Sequence, residues 1–379
     1  MKYKLNEISD ISSSKRIYAR EYVDYGIPFY RGKEIIEKAD NKSVSNKLFI
    51  SVDRYNEIQK KFSDAPKPDD ILVTSVGTIG RCYFVKKTDI PFYFKDGNLI
   101  KISNYNKGIV NPEYLYYLLI SHYGQNKIMN IQIGSTQQAI TIKELSDLVI
   151  DLPTLQIQDN IVNELKTVER NIELNIQIND NLDDILTTIF EKYVNRNTYK
   201  QGSLTDIANY KNGLAMQKFR PQEDENSLPV LKIKELNQGS TDDSSDRCSA
   251  NIDPSVIVHT GDIVFSWSGT LLVKNWTGNK AGLNQHLFKV TSDKYPKWFI
   301  YEWTKYHLRE FQSIAAGKAT TMGHIKRSDL KSATVFIPDQ ETMSKLDKEL
   351  TPIYNKRIQI IKESKKLNGI KNTLLEQYF

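Results

Sequence analysis

Cysteine is nearly absent from this chain of 379 residues: Cys82 and Cys248 stand far apart, outside any Cys-x-x-Cys pair or Cys/His cluster. That usage argues against the disulfide framework of a small secreted domain and against a structural zinc site. Long apolar runs are missing too. The longest, Tyr114 to Ile120, falls far short of the roughly 20 residues that span a bilayer. The opening Met1-Lys2-Tyr3-Lys4 has no signal-peptide stretch, so a soluble cytoplasmic protein with no membrane attachment is expected. A dominant charge is lacking as well. The 52 basic and 46 acidic residues leave a net +6, which permits a polyanionic partner without demanding one.

Catalytic signatures are equally scarce. No Gly-x-x-x-x-Gly-Lys-Ser/Thr loop is present, so a nucleotide-driven motor is not encoded. The Gly-rich cofactor loop and the Asn/Asp-Pro-Pro-Tyr/Phe motif of an amino-methyltransferase are missing. Asn111-Pro112-Glu113-Tyr114 has a single proline and reads as a helix start with Pro near the first position. Pro338-Asp339 with Glu363-Ser364-Lys365 superficially fits a nuclease pattern, but Glu363 and Lys365 fall midway along a helical segment, not on a core strand. The histidines His122, His259, His286, His307 and His324 show neither metal nor triad spacing.

What the chain does have is enough material for two domains, 39% apolar residues to build their cores, and a duplicated text. Asp70-Ile-Leu-Val-Thr-Ser-Val-Gly77-Thr78 matches Asp262-Ile-Val-Phe-Ser-Trp-Ser-Gly269-Thr270 without a gap. Leu99-Ile-Lys-Ile102 matches Leu287-Phe-Lys-Val290, and Pro112-Glu-Tyr114 matches Pro296-Lys-Trp298. Gly134 with Ile142-Lys143 answers Gly317 with Ile325-Lys326; Leu152-Pro153 answers Ile337-Pro338; Tyr193 answers Tyr378. The order is kept throughout. Each repeat has a globular part, 1–153 and 196–338, with short β-type runs and at least one helical run, around Glu113–Asn126 and Lys297–Ser313. Each then continues into a long helix, 154–195 and 339–379.

The first long helix carries the apolar series Ile161, Leu165, Val168, Ile172 at steps of four, three and four, and resumes at Leu182, Leu186 and Ile189. Asn175 and Asn179 interrupt the seam. The second carries Leu346, Leu350, Ile353, Ile360 and Leu367, interrupted by Arg357 and Ser364, with Pro352 and Gly369 predicting a bend or a late start. Forty residues make about 60 Å of helix, more than one domain of this size is wide. Residues 154–194 hold 3 basic and 8 acidic side chains, net −5; residues 339–379 hold 8 basic and 6 acidic, net +2. Opposite signs suit two helices side by side, and a two-fold relation between the repeats makes them antiparallel. The alternative is that each helix packs on its own domain. The expected fold is mixed α/β or α+β: two similar globular domains with a long antiparallel two-helix coiled coil and an internal pseudo-two-fold repeat.

Two similar readers on a rigid spacer suit a regular charged polymer such as duplex DNA. The order of globular domain, helix, globular domain, helix resembles the specificity subunit of type I restriction–modification enzymes. The resemblance covers essentially the whole chain. It rests on the Asp70–Gly80 and Asp262–Thr270 stretches, the Gly134-Ser-Thr-Gln-Gln-Ala-Ile-Thr141 loop and the Leu-Pro-Thr and Ile-Pro-Asp entries into the helices. It implies two target-recognition domains that read a bipartite, asymmetric site in double-stranded DNA. It also implies two methyltransferase subunits that bind S-adenosylmethionine and methylate adenine, and restriction/translocase subunits that use ATP and Mg. No cofactor and no catalysis belong to this chain in that scheme. The second repeat departs from the Gln-rich loop, with Gly317-Lys-Ala-Thr-Thr-Met-Gly-His324 in its place.

Candidate DNA contacts follow from the side chains that reach base edges or phosphates. In the variable loops they are Ser135, Thr136, Gln137 and Gln138, and Lys318, Thr320, Thr321 and His324. After the matched strands they are Ser75, Thr78 and Arg81, and Ser268, Thr270 and Lys274. After the matched Ile27-Pro28-Phe29 and Leu228-Pro229-Val230 they are Arg31 and Lys33, and Lys232 and Lys234. Each group could equally be ordinary polar surface. Trp267 is either core or a wedge at the interface. A coiled-coil scaffold whose two domains bind proteins is the competing reading, and a self-contained methyltransferase the third.

Overall fold

The computed structural model describes residues 1–40, 44–45, 47–134, 138–194, 199–317 and 323–379. The chain divides into two compact units, Met1–Glu169 with Gly369–Phe379, and Arg170–Asn368.

The first unit is built on a four-stranded antiparallel sheet in the order Asp10–Ser12, Leu99–Ser103, Ile71–Thr74, Cys82–Phe84. Its central strand Ile71–Thr74 is buried along its whole length, which explains a continuous apolar run instead of an alternating one. A second sheet joins Tyr22–Val23, Leu48–Ile50, Ile27–Tyr30 and Tyr93–Phe94, the last pair parallel. Lys2–Lys4 pairs with Val149–Asp151 and closes the globular part on itself.

The segment read as one helical run is two helices, Pro112–Ile120 and His122–Asn130. Asn111 caps the first, accepting from the Glu113 and Tyr114 N–H groups, with Pro112 in the first turn. Ser121 breaks the run: its hydroxyl accepts from the Gly124 N–H and donates to the Leu118 carbonyl. Tyr114, Leu115 and Leu118 then bury against Ile71, Val73, Ile100 and Ile102.

The second unit repeats this plan. Asn209–Asn212, Leu287–Thr291, Ile263–Ser266 and Leu272–Asn275 form its four-stranded sheet in the same order and pairing sense. Its second sheet keeps one parallel pair, Ser227–Leu231 beside Ala281–Leu283, but differs in its edge strands, Arg247–Ser249 and Ile257–Val258. Lys200–Ser203 pairs with Thr334–Ile337. Here too the expected single helix is two, Lys297–Tyr306 and Leu308–Ala316, divided at His307, whose ring bonds the Thr334 carbonyl at 2.8 Å.

One Asp–Lys ion pair recurs in both sheets, buried in the first and half-buried in the second. Leu72 stands opposite Lys101 and Val264 opposite Lys289. Each lysine reaches the aspartate that opens the neighbouring strand, Lys101 to Asp70 at 3.9 Å and Lys289 to Asp262 at 2.9 Å. Burial pushes the Asp70 carboxyl up and the Lys101 ammonium down from their usual values.

The long helices are Leu155–Val194 and Gln340–Tyr378. In the first unit, Glu164 bonds the Tyr378 hydroxyl and Glu169 pairs with Lys371 at 2.6 Å, so one number rises as the other falls. In the second, Asp183 meets Arg357 at 3.0 Å while Phe190 and Tyr193 lie with Leu346 and Leu350. The helices are antiparallel in both places.

Ile161, Leu165, Ile172, Leu346, Leu350 and Ile360 are buried; Val168, Leu182, Ile353 and Leu367 are half-buried. Ile161 and Leu165 also belong to the core of the first globular part, and Leu346 and Leu350 to that of the second. The paired-helix reading and the own-domain reading therefore both describe these positions. The late start expected from Pro352 is not found. The second helix begins at Gln340, with the Asp339 carboxylate accepting from the Thr342 N–H at 2.8 Å, and runs through both Pro352 and Gly369.

Candidate nucleic-acid interface

The strand registers put four chain segments at one end of the first sheet. Ser12 lies opposite Lys101, Thr74 opposite Leu99 and Val73 opposite Cys82. The segment after Ser12, the turn 95–98 and the loop 75–81 thus emerge together. The Ser75 N–H donates to the Asn98 carbonyl at 2.9 Å, and the Ser75 hydroxyl to the Gly97 carbonyl at 3.1 Å. The variable loop joins them: Val76 bridges Ala139, and the Ile140 N–H donates to the Ser75 carbonyl.

The second sheet presents the same end. Asn212 lies opposite Phe288, and Ser266 opposite both Leu287 and Leu272. The Trp267 N–H donates to the His286 carbonyl, Ser268 bridges His324, and the Ile325 N–H donates to the Trp267 carbonyl. Gly77 and Gly269, at the tips of the matched turns, both take positive φ (73° and 67°), the backbone that favours glycine. Motifs far apart in sequence are therefore brought together, and in the same way twice.

Individual candidates fare differently. Ser75 and Ser268 are buried, and the Ser75 hydroxyl is spent on the Gly97 carbonyl. Arg31 lies along the buried Glu34 carboxylate at 2.7 Å, and the same carboxylate accepts the Arg31 N–H, capping helix Gly32–Ala39. Lys232 opens Ile233–Gln238 in the same manner over the buried Glu235, with its ammonium 2.5 Å from Asp246. Arg81 is paired with Asp40, and the Lys274 ammonium donates to the Asn237 carbonyl. As phosphate clamps, these four would first have to leave partners they already hold.

Lys33 and Lys234 remain largely exposed, with loose partners at 3.8 Å (Glu37) and 3.2 Å (Ser244). Thr78, Thr270 and Gln138 are exposed, and His324 is half-buried. Ser135, Thr136, Gln137, Lys318, Thr320 and Thr321 lie outside the described residues. Trp267 is half-buried and packs against the core of the second unit, donating through Nε1 to Asn212 at 3.0 Å and stacking on Phe288.

Sequence reasoning missed two of the four segments at this end, the turns 95–98 and 284–286 and the stretches after Ser12 and Asn212. The turns carry no motif. The stretches did carry a signal, cations interleaved with aromatic rings, as in Lys15-Arg16-Ile17-Tyr18-Ala19-Arg20. A surface of amides, hydroxyls, imidazole and cations on short loops matches what base edges and phosphates require.

Comparison with known proteins agrees. Residues 1–184 and 197–372 each match the type I restriction modification DNA specificity domain. A type I restriction enzyme specificity subunit of Haemophilus influenzae is 30% identical over 167 residues, 44% of this chain and 39% of that protein's own length. The MjaIX specificity subunit of Methanocaldococcus jannaschii is 23% identical over 98% of this chain and 90% of its own. Among solved structures, the S subunit of the type I restriction–modification system from M. genitalium superposes with a TM-score of 0.54 at 16% identity, covering 100% of this chain and 96% of that one. With both halves of its sequence matched, the chain belongs to the type I restriction–modification DNA specificity family, a non-catalytic DNA-recognition subunit with two specificity domains.

Proposed function

We propose that this chain reads a bipartite, asymmetric target in double-stranded DNA, with residues 1–153 reading one half and 196–338 the other. Helical segments 154–195 and 339–379 set the gap between the halves. The chain directs two adenine methyltransferase subunits to the site, and in the full complex restriction/translocase subunits. S-adenosylmethionine belongs to the methyltransferase, ATP and Mg to the restriction subunit, and the assembly works in the cytoplasm.

The observation that carries this reading is the duplicated sheet end. Equivalent loops are held by equivalent backbone bonds, yet they display different side chains. Identical scaffolds with different reading groups suit two unlike half-sites.

The test is a domain exchange. Residues 1–153 are replaced by those of another specificity subunit, the chain is co-expressed with its methyltransferase, and methylated adenines are mapped. One half of the motif should change while the other half and the gap persist. Change in both halves, or in neither, defeats the assignment.

A further inference from the structure

The segments after Ser12 and Asn212 share a surface chemistry that the base-reading candidates do not account for. In the first repeat Lys15, Arg16, Tyr18, Arg20 and Tyr25 are all exposed, Tyr25 to 85% and Tyr18 to 52%. Leaving such rings in water forfeits the burial that large aromatics normally obtain. The Arg20 guanidinium lies over the Tyr18 ring at 5.4 Å, and the Lys15 ammonium over the Phe62 ring at 4.6 Å. Arg16 fastens the stretch to the turn 95–98 through Asp96 at 2.9 Å.

The second repeat places Lys218, Phe219 and Arg220, all exposed, on the corresponding stretch. That stretch is tied to the matching turn, where the Leu214 N–H donates to the Leu283 carbonyl at 2.9 Å. Of the acidic neighbours, Asp24, Glu223 and Asp224 are exposed, whereas Glu21 and Glu225 are engaged. Glu21 accepts from the Tyr18 N–H and pairs with Arg54, while Glu225 accepts from the Gln222 N–H and from Asn251.

We infer that these two stretches are backbone clamps: Arg20 with Tyr18, and Lys218 and Arg220 with Phe219, grip phosphate and sugar beside the half-site that each domain reads. A cation beside an exposed ring offers its donors to a phosphate oxygen while the ring offers apolar surface to the sugar. Such contacts position the duplex and carry no sequence information. The inference rests on the DNA-reading assignment above.

The test uses the full chain in complex with its methyltransferase and follows duplex binding by fluorescence anisotropy across a potassium chloride series. Arg20→Ala and Arg220→Ala should each weaken binding several-fold, to the same extent on cognate and scrambled duplexes. Each should lower the slope of log affinity against log salt by about 1. Arg20→Lys and Arg220→Lys, which keep the charge, should restore the slope. Lys107→Ala and Lys294→Ala, exposed beyond the opposite end of each sheet, should leave it unchanged. The methylation motif should stay the same in all of them. Unaltered slopes in the arginine-to-alanine variants overturn the clamp, as does a motif change confined to one half, which would make these residues base readers. Failure of the unsubstituted complex to bind duplex DNA overturns the underlying DNA-reading assignment instead.

Discussion

Glu302 is buried on helix Lys297–Tyr306, with one carboxylate oxygen taking a 3.2 Å bond from Thr187 and the other, Oε1, lacking a hydrogen-bond partner among the described residues. Burial pushes its carboxyl up to about 7, against the pull of Lys305. The folded value lies above the unfolded one near 4.5, so the protonated form is the one the fold favours. Its contribution to stability is complete below about pH 4.5 and is lost as the pH climbs through about 7. Denaturant unfolding of the chain should therefore show stability falling between about pH 4.5 and 7 and levelling off above that, and Glu302→Gln should flatten that fall, with a gain of roughly 3 kcal/mol at pH 8. An unchanged pH slope in the variant refutes this. The recurrent pair gives a second expectation. Lys101→Ala leaves a buried Asp70 uncompensated and should cost about 3 kcal/mol, whereas replacing both partners with apolar or neutral groups of similar size should cost less. Equal losses in the single and double variants would show that the pair is not coupled.

At the scale of elements, the seam of the long helices was readable because its period is fixed by helix geometry, and Arg357 fell on it as expected. The consequence of that arginine was not readable. It is buried, 3.0 Å from Asp183 and 5.0 Å over the Tyr301 ring, and both of those groups lie far from it in sequence. Leu350 is fully buried in the same core, and Leu350→Ala should destabilise by about 2–5 kcal/mol in a thermal or denaturant melt. Asn175 is buried with its Nδ2 unpartnered among the described residues, so Asn175→Leu should stabilise by about 1 kcal/mol. A loss of stability in that variant would mean the amide is satisfied in solution. The breaks at Ser121 and His307 were missed for a physical reason: apolar residues continue at helical spacing across them, and only a side chain bonding back to the main chain ends the first helix. At Pro352 the expected late start did not occur, because packing of Leu346, Leu350 and Tyr354 holds the helix through it.

Across the whole molecule, the duplication was legible from anchors such as Asp70/Asp262 and Lys101/Lys289, since residues that build the same turn and the same ion pair are constrained alike. The candidate interface was legible only in part. Sequence order pointed to the loops but could not say that the Ser75 hydroxyl turns inward to the Gly97 carbonyl, or that Arg31 is held by a buried glutamate and Lys232 by Asp246. The Ser75 and Lys232 outcomes depend on partners brought in by the turn 95–98 and by Asp246, beside the strand Arg247–Ser249. The central claim is that two unlike readers on one chain define one target. The most direct measurement is genome-wide mapping of methylated adenines in cells expressing the methyltransferase with and without this chain. The account predicts methylation that appears only with the chain, at a single asymmetric motif of two specific halves separated by a fixed unspecified gap. Methylation that is independent of the chain, or a continuous or palindromic motif, would contradict it.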